Sequence, residues 1–241
     1  MNAKMKVLSL ALVGLCGYAG SALAVCPAGP AIAQGGAWTA APVFQGTATI
    51  VTPGYATTAC RLASTINLGA SSVAFATVED DSPTNEPRYR AQFIIDLDAQ
   101  TAPTITKSST AFSATSTANG PGITLGVFGS SSAWFLSYIV PDANQLSGVT
   151  SGSVALAAGE NHVEFDLQIG AAGSITLWVN NNVAGSPTVP PIAINNSSVA
   201  GIDTAFLGLA GPSLGFIGSY AGPPGVGFDQ FDSRRATFIG F

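Results

Sequence analysis

The stretch from residue 162 to residue 169 constrains the fold most, because its side chains alternate without an exception. The odd positions are apolar: Val163, Phe165, Leu167 and Ile169. The even positions are polar: His162, Glu164, Asp166 and Gln168. Successive side chains of a β-strand point to opposite faces, so this pattern predicts a strand with one face on a core. The glycine turn at 170–173 and the alternating run 175–179 complete a predicted hairpin.

Similar short runs of β-branched and aromatic residues recur along the chain between turns rich in Gly, Pro and Asn. The predicted strands are 47–51, 73–78, 88–97, 123–128, 134–140, 162–169, 174–179, 204–209 and 227–239, the last broken near Ser233. The chain contains 28 Gly and 15 Pro, and both residues are costly inside helices. We therefore expect an all-β protein built as a two-sheet antiparallel sandwich.

The first 24 residues have the layout of a secretory signal peptide. Lys4 and Lys6 precede an apolar run at 7–13, and the small residues Ala22 and Ala24 suit a cleavage site before Val25. The apolar run is too short and too rich in glycine for a membrane span, and no second candidate follows. We expect a bacterial secreted protein, extracellular or periplasmic, with no membrane span once the signal is removed.

Two cysteines remain after removal of the signal, which carries Cys16. Cys26 and Cys60 are expected to form a disulfide, the usual state in an oxidising compartment. That bond would tie an N-terminal segment, residues 25–63, to a sandwich spanning 64–241. Lipid attachment at Cys26 is the alternative, although the bulky Val25 stands where a lipidation signal has a small residue.

The charge balance excludes nucleic acid as a partner. The chain has thirteen acidic and eight basic residues and a formal net charge of −5, whereas nucleic-acid binding depends on basic surfaces. Arg88 and Arg90 lie on one face of the predicted strand 88–97, and we interpret them as structural ion-pair partners of acidic residues on a neighbouring strand. Arg234 and Arg235 are assigned the same role.

Glu164 and Asp166 are the candidate catalytic pair, since period two places both carboxylates on one face. Glycoside hydrolysis needs two carboxyl groups flanking the bond, but the next position on this face, Gln168, cannot exchange a proton as a Glu can. A solvated strand face is the favoured interpretation. His162 is the chain's single histidine, which excludes a histidine zinc cluster, and we assign no catalytic residue.

Acidic turns offer oxygen ligands for a calcium ion, and no other cofactor is indicated. The candidate ligands are Asp80, Asp81, Asp142 and Asn144. Calcium requires several converging oxygens. The alternative is that these side chains cap their own turns and face water.

Four segments carry a resemblance to the LamG-like, concanavalin A-like jelly rolls of bacterial secreted proteins. They are 80–86 leading into 88–93, 175–181, 201–204 and 228–235, and the resemblance extends from about residue 73 to residue 241. It implies a jelly roll with one convex and one concave sheet. Many members of this broad group are attachment or carbohydrate-recognition modules, and a smaller set are glycosidases.

Three functions remain open at this stage. The leading hypothesis is a secreted, non-enzymatic module that binds glycan or a surface polymer through the concave sheet or its rim. The aromatic platforms to test are Trp134, Tyr138, Trp178 and Tyr220, together with Glu164 and Asp166. The alternatives are a structural or assembly component of a cell-surface or matrix layer, and a glycoside hydrolase using Glu164 and Asp166. The sequence leaves the oligomeric state undetermined.

Overall fold

A computed structural model describes residues 38–55, 58–66, 74–97, 107–130, 133–211 and 226–240. Within these ranges every regular element is a strand, which confirms the predicted all-β class. The strands are β1 (Val43–Phe44), β2 (Gly46–Val51), β3 (Arg61–Ile66), β4 (Ala74–Asp80), β5 (Arg88–Asp96), β6 (Lys107–Ser116), β7 (Gly120–Ser130), β8 (Ala133–Pro141), β9 (Val149–Ala155), β10 (Glu160–Gln168), β11 (Gly173–Val179), β12 (Val189–Ile194), β13 (Thr204–Gly211) and β14 (Val226–Arg234). The same ranges contain no helix long and apolar enough to cross a membrane.

The strands form two antiparallel sheets of seven, as predicted for a sandwich. The first sheet has the order β1-β4-β13-β6-β7-β8-β9 and the second the order β12-β11-β10-β5-β14-β3-β2. In each sheet, three of the six neighbouring pairs are consecutive strands and the other three are not. Local hairpins and pairing between distant strands therefore both hold the fold together.

The alternating run that dominates the sequence lies at the centre of the second sheet. β10 pairs with β11 and with β5, and Phe165 stands opposite Leu177 on one side and Ala91 on the other. The apolar side chains of β10 are fully buried between the sheets, whereas Glu164 and Asp166 lie on the outer face. This arrangement confirms the predicted hairpin and the partition of its side chains, but the predicted solvated face is wrong, because Glu164 and Asp166 are both buried.

An aromatic cluster joins the two sheets in the middle of the core. Phe112 of β6 contributes from the first sheet, and its ring centroid lies 5.1 Å from Phe165, 5.7 Å from Phe93 and 6.3 Å from Phe231. Those three partners belong to three strands of the second sheet. Phe112 thus contacts three aromatic rings of the opposite sheet. A large aromatic side chain buries enough area to make all three contacts.

Residues before the predicted domain boundary are integral to the sandwich. The boundary at residue 63 falls inside β3, and β1 and β2 also precede it. Ser64 of β3 connects the sheets, since its Oγ donates to the Ala76 carbonyl at 2.5 Å and accepts from Leu209 N at 3.1 Å. The sandwich thus begins at β1. The predicted signal peptide and Cys26 lie outside the described residues, so the Cys26–Cys60 bond stays a prediction.

Candidate functional site

The predicted acidic pair is part of an ionic cluster on the outer face of the second sheet. Asp166 accepts from Arg88, with Nε at 2.9 Å from Oδ1 and Nη2 at 2.5 Å from Oδ2. Arg90 donates through Nε to Glu164 and lies 3.5 Å from Asp166 through Nη1. The hydrogen bond to Asp166 raises the pKa of Arg88. Two guanidinium groups thus balance two carboxylates, which confirms the predicted structural role of Arg88 and Arg90.

Residues 235–240 cover this cluster. Ile239 N and Gly240 N donate to the two carboxylate oxygens of Glu164, each at 3.0 Å. The guanidinium carbon of Arg90 lies 4.5 Å from the ring centroid of Trp178 and 4.8 Å from that of Phe238. Glu164 retains only 1% of its surface. Both of its oxygens are engaged, so this arrangement offers neither an attacking carboxylate nor a proton donor to a sugar.

Three of the four predicted aromatic platforms lie in the described part of the chain, and two of them, Tyr138 and Trp178, are buried. Tyr138 belongs to the core, where burial raises the pKa of its hydroxyl. Trp134 is half-buried and packs against the same core. Trp178 is 5% exposed, lies under Phe238 and donates its Nε1 hydrogen to the Ala184 carbonyl at 3.2 Å. Tyr220 lies outside the described residues.

Two of the four predicted calcium ligands, Asp80 and Asp142, cap turns with their side chains. Asp142 Oδ1 accepts from Asn195 N at 2.9 Å and from Asn144 N at 3.0 Å, and Oδ2 accepts from the Thr150 hydroxyl at 2.6 Å. Asp80 Oδ1 accepts from Ser82 N at 2.9 Å, and Asp81 is exposed in the same turn. The described ranges contain no cluster of three or more His, Cys, Asp or Glu side chains. Asp80 and Asp142 therefore cap turns as the alternative holds, but both are buried, so the expectation that they face water is wrong.

The hydrogen bonds around Asp142 predict a pH-dependent contribution to stability. Donation from Asn195 N, then from Thr150 and Asn144, holds the pKa of Asp142 below its usual value. A carboxylate with a lowered folded-state pKa stabilises the protein fully above its unfolded pKa of about 3.9, and this stabilisation is lost as the pH falls through the folded-state pKa. In urea unfolding, the stability gap between wild type and Asp142→Asn should narrow below about pH 4. Asp81→Asn serves as control, and an Asp142→Asn gap as constant as the control's would contradict the prediction.

A pocket of about 300 Å³ opens beside β14, β3 and β2 and reaches between the two sheets. Its aromatic lining comes from Trp38, Phe228 and Phe231, and its polar lining from Arg61, Asp229 and Gln230. The ring centroids of Trp38 and Phe231 lie 4.7 Å apart at an interplanar angle of 39°. We call this feature the Trp38 pocket. It combines apolar ring faces with charged and amide groups in one hollow.

An irregularity in β14 builds one wall of the Trp38 pocket. The register with β5 shifts between Asp229 and Asp232, and Gln230 has a φ of 48°. A bulge of this kind re-aims side chains, and here Phe228 and Phe231 both contact the core. Asp229 accepts from Tyr55 N at 2.6 Å and from the Thr58 hydroxyl. These bonds fasten the loop before β3 to the bulge.

Arg61 lies at the start of β3 and lines the same pocket. Its guanidinium carbon lies 4.9 Å from the ring centroid of Tyr55, and its Nη1 donates to the Pro53 carbonyl. Its Nε atom is buried without a hydrogen-bond partner. In the described part of the chain, the other four arginines each form an ion pair, and Arg61 forms none. Arg61 thus brings to the pocket a positive charge that lies in no ion pair of the described residues, and the Asp229 carboxylate lines the same pocket.

The hollow on the outer face of the first sheet differs in chemistry. It measures about 280 Å³ and is lined by Phe75, Phe206, Pro42 and small or hydroxyl-bearing side chains. Among the described residues, its lining includes hydroxyl groups and no charged side chain. The Trp38 pocket adds a guanidinium and a carboxylate to its aromatic rings, so we take the Trp38 pocket as the candidate site.

Sequence reasoning assigned no residue of the Trp38 pocket to a ligand site, and of its lining it singled out only Cys60, as a disulfide partner. Trp38 stands in a run of small and turn-forming residues, and a lone large aromatic there is the signal that could have indicated it. The segment 228–235 contributed to the family resemblance, but nothing in it indicated a bulge. Residues 38, 61 and 231 are brought together only by tertiary structure.

The comparisons with solved structures find the same fold in carbohydrate-related proteins. The cellulose-induced protein Cip1 has a TM-score of 0.53 at 16% identity, over 83% of this chain and 93% of that chain. The alginate lyase Aly36B has a TM-score of 0.53 at 15% identity, over 81% and 86%. A GH131 β-glucanase catalytic domain from Podospora anserina has a TM-score of 0.52 at 13% identity, over 84% and 87%.

No family model matches the chain, and no curated protein matches it. The LamG-like part of the predicted resemblance accordingly stays a prediction. Identities of this size establish architecture and leave activity open. By its fold, the chain is a two-sheet antiparallel jelly-roll sandwich, as these structures are.

Proposed function

We propose that this protein is a non-enzymatic glycan-binding module whose ligand enters the Trp38 pocket. The observation that carries the proposal is the pairing of aromatic rings with a buried, unpartnered guanidinium nitrogen in one hollow. Sugar rings present apolar faces to aromatic side chains and hydroxyl groups to polar ones. The similar structures include an alginate lyase and a β-glucanase catalytic domain, which supports carbohydrate as the ligand class.

The size of the Trp38 pocket suits one unit of a polymer. Its volume of about 300 Å³ lies at the lower end of the range of small-molecule sites. The non-enzymatic part of the proposal is supported by the engagement of Glu164 and Asp166 in ion pairs. Those two residues were the carboxylates that the sequence offered for hydrolysis.

The proposed place of action is outside the cytoplasm. The signal-like pattern of residues 1–24 supports export. Cys60 lines the Trp38 pocket, so the expected bond to Cys26 would fix the chain that leads to Trp38 beside the site. This bond would reduce the entropy that the pocket loses on binding.

Trp38→Ala should weaken glycan retention at least about tenfold, because a stacking face worth roughly 1.5 kcal/mol is removed. Binding is measured by affinity electrophoresis against a panel of soluble polysaccharides and by titration calorimetry with oligosaccharides. Trp38 also packs against the core, so Trp38→Phe is included as the variant that keeps a ring and should keep most of the affinity. Circular dichroism and urea unfolding verify the fold of each variant.

The matched control for this experiment is Phe44→Ala. Phe44 is 47% exposed on β1 and lines neither hollow, so its loss should leave retention unchanged. Equal weakening by Trp38→Ala and Phe44→Ala would place the ligand elsewhere. Failure of the wild-type protein to bind any polysaccharide of the panel would overturn the function itself.

A further inference from the structure

The charge on Arg61 narrows the ligand class of the Trp38 pocket, on the premise that the proposed function holds. We propose that the pocket selects acidic glycans, with the carboxylate of a uronic acid unit paired to the Arg61 guanidinium. The starting observation is that Arg61 is the one arginine of the described ranges without a carboxylate partner. A partly buried guanidinium without an ionic partner is costly, and an incoming carboxylate offsets that cost.

The neighbours of Arg61 hold its guanidinium in place and leave a donor free. Tyr55 lies against it, and the Pro53 carbonyl takes the Nη1 hydrogen bond. Nε is buried and has no partner. A carboxylate suits the Arg61 guanidinium, because guanidinium and carboxylate can form parallel charge-assisted hydrogen bonds. Nε has almost no exposed surface, so this pairing requires the Arg61 side chain to turn toward the hollow.

The acidic groups around Arg61, Asp229 and Asp96, interact with other neighbouring groups. Asp229 Oδ2 accepts from Tyr55 N and the Thr58 hydroxyl, and Oδ1 accepts from Gln230 N at 2.7 Å. Asp96 interacts with the hydroxyl of Tyr55, and burial, followed by the charge of Asp96, raises the pKa of that hydroxyl. Tyr55 therefore stays neutral at physiological pH, and its ring can stack on the cation. Asp229 lines the same pocket as Arg61, and its hydrogen-bond donors are groups other than Arg61.

Trp38 and Phe231 supply the apolar surface on which a ring of the glycan would pack. Their rings line the same hollow as Arg61, so a ring of the glycan can pack on the aromatic wall while its carboxylate meets the guanidinium. The whole protein carries a net charge of −5, which disfavours general attraction of polyanions. Selectivity for acidic glycans must then arise from the local Arg61 group.

The experiment compares ligands that differ only at the carboxyl group. Full-length protein is titrated with oligogalacturonate and with the same oligomer after reduction of each carboxylate to a primary alcohol. The acidic oligomer should bind at least about tenfold more tightly, since a charge-assisted hydrogen bond contributes about 1.5 to 3 kcal/mol. Alginate oligomers and their reduced forms repeat the comparison with different ring stereochemistry. Dextran sulfate tests for attraction to any polyanion.

Arg61→Gln should remove this preference, and it should weaken the acidic oligomer more than the reduced one, because the reduced oligomer loses only a neutral hydrogen bond while the aromatic wall is intact. Arg61→Lys retains the positive charge but lacks the planar guanidinium that donates two parallel hydrogen bonds. It should therefore keep part of the preference for the acidic oligomer. Arg235→Gln is the matched control, since Arg235 pairs with Glu86 away from the pocket. Circular dichroism and urea unfolding confirm that each variant folds.

The possible outcomes test the preference for acidic glycans separately from glycan binding itself. Equal affinity of wild type for the acidic and reduced oligomers would overturn the inference while the glycan-binding function stands. The same holds if Arg61→Gln keeps the full preference or if dextran sulfate binds as tightly as oligogalacturonate. Absence of binding to all oligomers, acidic and neutral, would overturn both.

Discussion

Glu164→Ala is expected to lower the free energy of unfolding by about 3 to 5 kcal/mol, the usual cost of leaving one member of a buried ion pair without its partner. The side chain of Arg90 is only 5% exposed and would lose its closest carboxylate. The backbone N–H groups of Ile239 and Gly240 would also lose their acceptors. The loss is measured by urea unfolding, followed by circular dichroism and tryptophan fluorescence.

Glu160→Ala provides the control for this prediction. Glu160 begins the same strand and is exposed, so its removal should change stability by no more than about 0.5 kcal/mol. A Glu164→Ala variant as stable as Glu160→Ala would show that the ionic cluster contributes little. Arg90→Met combined with Glu164→Met should be less destabilising than the sum of the two single changes, because no buried charge is then left unpaired in that pair.

The ionic cluster explains why an acidic pair at alternate positions can look catalytic and be structural. Period two places Glu164 and Asp166 on one face, as predicted. The register between β10 and β5 then sets Arg90 opposite Asp166, and residues 235–240 cover Glu164. Only the first of these steps can be deduced from the strand itself, since the other two depend on partners about 75 residues away in the chain.

The strands that the sequence predicted share strong alternation or a run of β-branched and aromatic residues, as in β5, β10 and β11. Five others were missed. β6 (Lys107–Ser116) consists largely of Ser, Thr and Ala, and β9 (Val149–Ala155) is similarly short of large apolar residues. β12 contains Pro190 and Pro191, which an edge strand tolerates because one of its sides has no pairing to lose. The short strands β1 and β3 precede or straddle the predicted boundary of the sandwich.

The order of the strands in each sheet and the Trp38 pocket could not be predicted from the sequence, because both depend on which strands lie next to each other. A strand pattern states which face is apolar but not which strand lies next to it. The pocket arises where β3, β14 and the chain before β1 meet, and its wall requires an irregular register at Gln230. The aromatic residues that the sequence singled out, Trp134, Tyr138 and Trp178, instead cover the core or the ionic cluster, because large rings contribute most by being buried.

Phe112→Ala is expected to destabilise the protein by about 3 to 5 kcal/mol, the usual range for deleting a large buried ring. Phe112 is 0% exposed and is the member of the aromatic cluster that comes from the first sheet. Its removal leaves a void facing Phe93 and Phe165, and the strands around that void are fixed by pairing on both sides. The site cannot collapse fully, which places the expected loss toward the upper end of the range.

The measurement is the urea midpoint and slope of Phe112→Ala against wild type, with Phe44→Ala as the matched deletion of an exposed ring. Phe44 contacts Phe75 at 5.9 Å on the edge strand β1, so its loss should cost less than about 1 kcal/mol. Phe112→Leu keeps most of the volume and should fall between the two. If Phe112→Ala costs no more than Phe44→Ala, the two sheets are not held together at Phe112, and the position assigned to β6 opposite β5 and β10 is wrong.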